Sequence, residues 1–234
     1  MADSSPRTPQ PRRRSQQERT QETQAKLVRA AIELLKKRRY VGVRTIDVAE
    51  HAGLSKGAST HHFPTKDALV LRALEEVYRY TQERAHRRIA QAGSSTRELL
   101  DALGEDSKAF FLSDDFLLSL DLVMVDPDSE LGAQVKELAR TYRLPVEQAW
   151  ADALRHAGHP AKATDDVVRL TFALARGLGI RQLIAGPDAA AGHLVEAWLS
   201  TAEIMLTAAG PETNTQENML KTMSKAAGKP PRDP

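Results

Sequence analysis

The residues whose side chains best suit binding chemistry lie close together in one short segment. They are Lys56, Gly57, Ser59, Thr60, His61, His62 and Lys66. Lysine donates to phosphate oxygens and to guanine O6 and N7, and hydroxyl groups also bond phosphates. The segment therefore indicates nucleic-acid binding, although lysines are equally common on solvated helix faces and one histidine could simply pack at a helix end.

Two short helices and a sharp turn are expected to position these side chains. A helix over 45–51 stops at Gly53, which is a natural helix terminator, and Ser55 can N-cap a second helix over 56–62. The predicted inward residues are Val48, Ala49, Ala52 and Leu54, and the predicted outward residues are Lys56, Ser59, His61 and His62. This organisation is that of a helix-turn-helix, whose second helix enters the major groove.

Longer helices are predicted on both sides of this pair. An amphipathic helix of about 18 residues begins at Thr20 and carries its apolar face at Leu27, Ala30, Ala31, Leu34 and Leu35. A break follows at 40–42. After Pro64, Thr65 is expected to N-cap a helix over 66–92.

Charge is divided unevenly along the chain, although the net charge is only +2. Residues 1–66 carry 14 Lys and Arg against 6 Asp and Glu, a balance of +8, and residues 67–234 carry 19 against 25, a balance of −6. A basic first third favours a nucleic-acid-binding part joined to a part that does not bind DNA. Residues 1–17 include Arg12, Arg13 and Arg14 and are expected to form a disordered basic arm, either DNA-contacting or a plain tail.

Residues 20–74 resemble the DNA-binding domain of TetR-family transcriptional regulators. The likeness rests on residues 48–57 (VAEHAGLSKG) and 62–69 (HFPTKDAL), which follow the family pattern of helix, turn, recognition helix and start of the fourth helix. The resemblance implies an all-α fold of about nine helices. It comprises a three-helix helix-turn-helix DNA-binding domain and a larger helical bundle for ligand binding and dimerisation.

The resemblance also implies roles for individual residues. Lys66 should contact a DNA phosphate, and Lys56, Ser59 and His61 should lie near base edges or phosphates. The rest of the predicted DNA-binding set is Arg44, Thr45, Gly57, Thr60 and His62.

Three positions depart from the family pattern. Arg44 replaces the usual capping threonine, Arg39 replaces a usual glycine, and Thr60 replaces a tyrosine that commonly reaches a phosphate. Because arginine does not N-cap, we expect Thr45 to cap the second helix and Arg44 to add a phosphate contact.

The rest of the chain is also predicted to be helical. Helices are expected over 96–111, 114–125, 129–157, 164–185 and 188–208, and Pro145 should kink or divide the third of these. The predicted domain plan is an arm at 1–17, a DNA-binding domain at 18–66, a ligand-binding and dimerisation domain at 67–210 and a mobile tail at 211–234.

A bundle of this kind can enclose a ligand cavity lined by apolar residues and a few polar groups. The predicted lining residues are Phe110, Phe116, Leu120, Met124, Tyr142, Trp150, Phe172 and Arg176. Aromatic residues at helical spacing more often belong to a plain core.

The last two helices predict a homodimer interface over 164–185 and 188–208. Their predicted faces carry Val167, Leu170, Thr171, Leu174 and Leu178 on the first, and Leu194, Ala197, Trp198 and Thr201 on the second. Two such helices can pack against their symmetry mates as a four-helix bundle, and the two-fold axis would set the recognition helices about 34 Å apart on palindromic DNA.

Other chemistry finds little support in the sequence. The chain has no cysteine, which excludes disulfides, thiolate zinc sites and thiol nucleophiles. His156 and His159 lie at a helix end without an acidic partner, so neither a metal site nor a catalytic centre is expected, and no cofactor is indicated. The absence of an apolar run of about 18 residues predicts a cytoplasmic protein with no membrane partner.

The sequence therefore predicts a ligand-responsive transcriptional repressor. As a homodimer it would bind double-stranded palindromic operator DNA and be released by a small molecule of unknown identity. One alternative is a ligand-independent activator or architectural protein, which a bundle without a cavity would favour. The other is an enzyme carrying a DNA-binding-like module, which a pocket of clustered Asp, His and Arg would favour.

Overall fold

The computed structural model describes residues 15–125, 128–186 and 190–208, and these residues form ten α-helices and no strand. The helices are α1 Gln16–Gly42, α2 Thr45–His51, α3 Lys56–His62, α4 Lys66–Gln91, α5 Thr96–Phe111, α6 Asp114–Met124, α7 Glu130–Tyr142, α8 Leu144–His156, α9 Ala161–Ala185 and α10 Ala190–Ala208. The predicted all-α class is confirmed. None of the described helices is long and apolar enough to cross a membrane.

The first helix begins four residues before its predicted start at Thr20. Ser15 and Glu18 form a capping box, in which Ser15 Oγ accepts from the Glu18 amide at 3.1 Å and the Glu18 carboxylate accepts from the Ser15 amide at 2.7 Å. This short polar signal was missed beside the proline-rich segment. The arm residues 1–14, with Arg12, Arg13 and Arg14, and the predicted tail at 211–234 lie outside the described residues.

The regular backbone of α1 is interrupted at Arg39, where φ is 61° and ψ is 172°. This region of φ/ψ space is almost confined to glycine, because a side chain clashes with the backbone there. The interruption lies one residue before the predicted break at 40–42. It coincides with the position where the family pattern usually has glycine.

The predicted long helix over 129–157 is two helices. Tyr142 ends α7, and Leu144 and Pro145 begin α8, where a proline is tolerated because the first amides of a helix lack internal partners. This division raises the helix count from about nine to ten.

The chain packs into two compact units, one ending at Glu76 and the other beginning at Val77. The residues of α4 are therefore shared between the two units. In the first unit the predicted apolar face of α1 is buried, as are Val48 and Ala49 of α2 and Leu69 and Leu74 of α4.

The second unit is built around α5, which packs against α6, α8, α9 and α10. Gly179 of α9 allows one of these close approaches, because a Cβ at this position would lie 2.0 Å from the carbonyl oxygen of Phe111. Trp150 and Phe172 are fully buried in the core of this unit.

Candidate functional site

The turn between α2 and α3 has the geometry that the sequence predicts. Gly53 has a φ of 68°, which favours glycine, and the amide of Leu54 donates to the Ala49 carbonyl at 2.9 Å. Val48 and Ala49 are buried, whereas Ala52 and Leu54 are only half-buried. The turn thus sets the direction of α3 relative to α2.

Side-chain caps begin the two helices that follow this turn. Ser55 Oγ accepts from the Ala58 amide at 3.2 Å and begins α3. Thr65 Oγ1 accepts from the Ala68 amide at 3.1 Å and begins α4. Both predicted N-caps are confirmed.

The prediction that Thr45 caps α2 is wrong. Thr45 is already helical, and Arg44 occupies the cap position with an extended backbone and no side-chain cap bond. The Arg44 guanidinium instead bonds both oxygens of Asp47, at 2.7 and 3.1 Å, and this pairing lowers the pKa of the Asp47 carboxyl. Arg44 remains largely exposed, so its predicted phosphate contact stays a prediction.

The exposed surface of α3 carries Lys56, Gly57, Thr60 and His61. Thr60 Oγ1 donates to the Lys56 carbonyl at 3.1 Å, as helix-surface hydroxyls commonly do. The His62 ring is half-buried and meets His61 edge-on, with ring centroids 5.2 Å apart. The lysine and His61 are therefore the exposed nitrogen-bearing groups of this helix.

The prediction that Ser59 projects outward is wrong, because its side chain is 2% exposed. Ser59 lies four residues before the buried Phe63, so the two share the inward side of this segment. Within the described part of the chain, Ser59 Oγ has no hydrogen-bond partner. Ser59 supports α3 from beneath and does not present its hydroxyl at the surface.

Lys66 is held at the start of α4 by a residue that the sequence analysis missed. Its Nζ donates to the Tyr40 carbonyl at 2.6 Å and lies 3.8 Å from the centre of the Tyr40 ring. The Tyr40 hydroxyl donates to Asp67 at 2.7 Å, and burial together with this carboxylate raises the pKa of Tyr40 to about 12. Tyr40 and Lys66 are 26 residues apart, so no local spacing links them; the position of Tyr40 directly after a basic run is the nearest signal.

The second unit contains a cavity of about 310 Å³. Four of the predicted ligand residues line it, namely Phe110, Phe116, Leu120 and Arg176. The other lining residues are Tyr78, Phe111, Ser119, Val123, Ala139, Arg140, Arg143, Leu144 and Glu147. The sequence therefore indicated the region that holds this cavity but missed most of the polar residues of its wall, and ligand binding there stays a prediction.

Four predicted ligand residues do not line this cavity. Met124 is 69% exposed near the end of α6, and Tyr142 is half-buried elsewhere on α7. Trp150 is buried and donates to Asp106 at 3.1 Å, and Phe172 packs on the Phe111 ring with centroids 5.5 Å apart. Helical periodicity identifies buried aromatic residues, but it does not separate core from cavity wall.

Arg143 is the most unusual cavity residue. It lies at the junction of α7 and α8, and its guanidinium is 3.8 Å from the centre of the Phe110 ring. Burial lowers the pKa of Arg143 to about 10. An arginine next to a predicted break is normally solvent-exposed, which is why the sequence did not single it out.

Tyr78 connects α4 to the cavity wall. Its hydroxyl shares a hydrogen bond with Ser119 Oγ of α6, and burial raises the pKa of Tyr78. Both residues line the cavity. A molecule bound there would therefore touch α4 directly.

The histidines first considered as metal ligands have other partners. His156 Nδ1 lies 2.7 Å from the Asp152 carbonyl oxygen, and His159 Nε2 lies 2.6 Å from Thr96 Oγ1. Over residues 15–125, 128–186 and 190–208, no three His, Asp or Glu side chains gather as a metal-binding group would.

Helices α9 and α10 expose large apolar side chains. They are Leu170, Ile180, Leu183 and Ile184 on α9, and Leu194, Ile204 and Met205 on α10. Ile184 is 88% exposed, which is unusual for so apolar a residue. Of the second predicted face, Leu194, Ala197 and Thr201 are exposed and Trp198 is half-buried.

The predicted α9 face is partly wrong. Val167, Thr171 and Leu178 are buried in their own unit, and Thr171 Oγ1 accepts from the Trp198 indole at 2.8 Å. Leu174 is half-buried and Leu170 is exposed. The residues that the sequence pattern predicted for this face lie on α9 between its inward side and its exposed apolar side.

A known protein family and a known regulator share sequence with this chain. Residues 27–73 match the family model described as bacterial regulatory proteins, tetR family. The chain is 38% identical over 174 residues to the HTH-type transcriptional regulator CymR of Pseudomonas putida, which covers 74% of this chain and 85% of that protein.

Solved structures support the fold. A TetR transcription regulator from Haloarcula marismortui aligns with a TM-score of 0.62 at 17% identity, covering 81% of this chain and 98% of that one. The regulator FadR from Bacillus subtilis, solved in complex with stearoyl-CoA, aligns with a TM-score of 0.58 at 13% identity, covering 78% and 97%. Taken with the helix-turn-helix geometry and the similarity to CymR, these findings show that the chain belongs to the TetR family of DNA-binding transcriptional regulators.

Proposed function

We propose that the protein is a ligand-responsive repressor that binds palindromic operator DNA as a homodimer and is released by a small molecule. The observation that carries this proposal is the pairing of a basic helix-turn-helix surface with a cavity in the second unit that α4 helps to line. A ligand-independent regulator would not need that cavity.

The proposed DNA surface lies in the domain at 18–66. It consists of Arg44, Thr45, Lys56, Gly57, Thr60, His61, His62 and Lys66. Lys56 and His61 are exposed on α3, as residues that approach base edges must be. Lys66 is held at the start of α4 through Tyr40, and its ammonium carries the positive charge that a DNA phosphate contact requires.

The proposed effector site lies in the domain at 67–210. A molecule in the cavity would contact Tyr78 and disturb its hydrogen bond to Ser119, which joins α4 to α6. Because α4 begins at Lys66, a shift of this helix would move one of the proposed phosphate contacts. The ligand would lower DNA affinity only by the ratio of its affinities for the two conformations.

The proposed dimer forms through the exposed apolar sides of α9 and α10. Large side chains such as Ile180, Ile184, Leu194 and Ile204 would lose contact with water when two copies pack as a four-helix bundle. Two-fold symmetry would then present two α3 helices to two half-sites of the DNA.

Selection of genomic DNA fragments by the purified protein tests this function. The fragments recovered in about 150 mM salt are sequenced, and we expect a shared inverted repeat upstream of a small number of genes. A Lys56→Ala protein, processed in parallel, should enrich this repeat poorly. Recovery of fragments without a common sequence would contradict the proposal.

A further inference from the structure

We propose that the cavity binds a compact, mostly apolar carboxylate, and that Arg143 holds its anionic end. This inference rests on the proposed ligand-responsive function and adds the chemical class of the ligand. The carboxylate can belong to an aromatic acid or to an aliphatic acid, and the experiment below separates the two.

The first argument is that Arg143 has no protein anion bound to it. Among the described residues, none forms an ion pair or a hydrogen bond with its guanidinium, although the group offers five N–H donors. The Arg143 side chain is half-buried with its guanidinium over the Phe110 ring, and this burial lowers the pKa of the arginine. The guanidinium is accessible from the cavity, so a bound anion would supply the missing partner.

The second argument is the balance of charge around the cavity. Arg140 of α7, Arg143 and Arg176 of α9 line it, against the single carboxylate of Glu147 on α8. The Glu147 carboxylate lies 3.9 Å from Arg176, and the Glu137 carboxylate lies 3.3 Å from Arg140, so Arg143 is the lining arginine that has no carboxylate paired with it among the described residues. The remaining cationic charge favours an anionic ligand over a neutral or cationic one.

Asp106 of α5 does not alter this balance, although its charge favours the charged form of Arg143. It is 3% exposed and does not line the cavity. Its two oxygens accept from Arg88 and from the Trp150 indole, each at 3.1 Å. Both carboxylate oxygens of Asp106 are therefore bonded inside the core of the unit, and its charge does not face the cavity.

The third argument is the size and chemistry of the rest of the wall. Phe110, Phe111 and Phe116 meet edge to face, with centroids 5.0 to 6.0 Å apart, and Leu120 and Val123 extend the apolar surface. A cavity of about 310 Å³ suits one ring system or a short chain. In a ligand with one carboxylate on an apolar body, the carboxylate would pair with Arg143 and the apolar body would pack against the aromatic rings.

Calorimetric titration of the full-length protein with two matched pairs tests this inference. The pairs are 2-naphthoate with 2-naphthamide and octanoate with octanamide, in which the amide keeps the shape and removes the charge. We expect at least one acid to bind with a Kd of about 1 mM or tighter, and about 10- to 100-fold more tightly than its amide. The pair that shows this preference identifies the aromatic or the aliphatic class.

Variants assign the preference to Arg143. Arg143→Gln should abolish the preference for the acid and change binding of the amide by less than about threefold, whereas Arg143→Lys should retain part of it. Arg97→Gln, on the exposed surface of α5, is the matched control and should keep the full preference. Thermal unfolding of each variant, followed by circular dichroism, verifies that it is folded.

Three results would overturn the inference: equal affinity for acid and amide, binding of neither acid, or equal loss in the Arg143→Gln and Arg97→Gln variants. DNA binding of the wild-type protein, measured in parallel, separates this inference from the proposed function. If DNA is bound and released by other compounds while both acids fail to bind, the inference alone is wrong. If an acid binds as expected while DNA affinity does not change, the carboxylate site stands and the proposed release mechanism is wrong.

Discussion

Arg39 has a backbone conformation that is unfavourable for a residue with a side chain. It adopts a φ of 61° and a ψ of 172°, a conformation that costs a non-glycine residue about 1–3 kcal/mol. Arg39→Gly should therefore raise the free energy of unfolding, measured by urea denaturation. Arg39→Ala also removes the charge but keeps the Cβ, so it should bring no comparable gain. Equal stability of the two variants would show that the backbone is not strained at this position.

Lys56 and Lys66 are expected to contribute differently to DNA binding. Lys66→Ala should weaken binding about equally for all sequences and reduce the slope of log affinity against log salt by about one, because it removes one phosphate contact. Lys56→Ala should in addition change the preference among base substitutions in the operator. Fluorescence anisotropy at several salt concentrations measures both effects. Identical losses on all sequences with identical salt slopes would contradict this division of roles.

Tyr40 makes the first unit sensitive to alkaline pH. Its pKa rises to about 12 in the folded chain, above the usual value of about 10, so the neutral phenol is favoured by folding. The resulting stabilisation is complete below pH of about 10 and is lost as the pH rises through about 12. Phenolate absorbance, taken as the difference between wild type and Tyr40→Phe, should show this late titration. Asp67→Asn should lower the pKa only in part, since burial is the larger cause; a Tyr40 titration near pH 10 in the wild type would contradict the assignment.

The roles of residues that depend on their sequence neighbours were predictable. The roles that depend on packing against distant segments were not. Ser55 and Thr65 cap their helices as predicted, because capping involves only the next three residues. The inward position of Ser59 and the partnership of Tyr40 with Lys66 depend on neighbours that no local pattern identifies.

The start and end of most helices were predictable to within a few residues. The direction in which each apolar side faces was not. Pro145 correctly indicated an interruption, because proline cannot continue a helix through its own position. By contrast, α9 has apolar residues on more than one side, so periodicity did not separate its core side from its exposed side. Its packing in the folded unit leaves four large apolar side chains exposed, namely Leu170, Ile180, Leu183 and Ile184.

The exposed sides of α9 and α10 predict how the protein assembles. Leu194→Glu or Ile180→Glu places a charge within the proposed apolar interface, so either should shift the protein from two chains to one. Light scattering coupled to size-exclusion chromatography measures the mass. Ala133→Glu, on the exposed surface of α7, is the control and should remain dimeric. A wild-type protein of one chain, or variants that stay dimeric, would contradict the proposed interface.

Across the whole molecule, the division of charge agrees with the proposed division of roles. The first 66 residues have a balance of +8 and the remainder has a balance of −6, so we expect DNA to favour the first part. This division and the helix-turn-helix were visible in the sequence. Of the basic wall of the cavity only Arg176 was predicted, because Arg140 and Arg143 join it only when α7, α8 and α9 pack.

The proposed function depends on sequence-specific DNA binding by a dimer through α3, and titration of the recovered operator fragment measures this binding. Fluorescence anisotropy of the labelled fragment, at constant salt, is compared with that of a scrambled fragment of the same composition. We expect saturation at two chains per palindrome and an affinity about 10³-fold or more above that for the scrambled fragment. Equal affinity for the two fragments would contradict it.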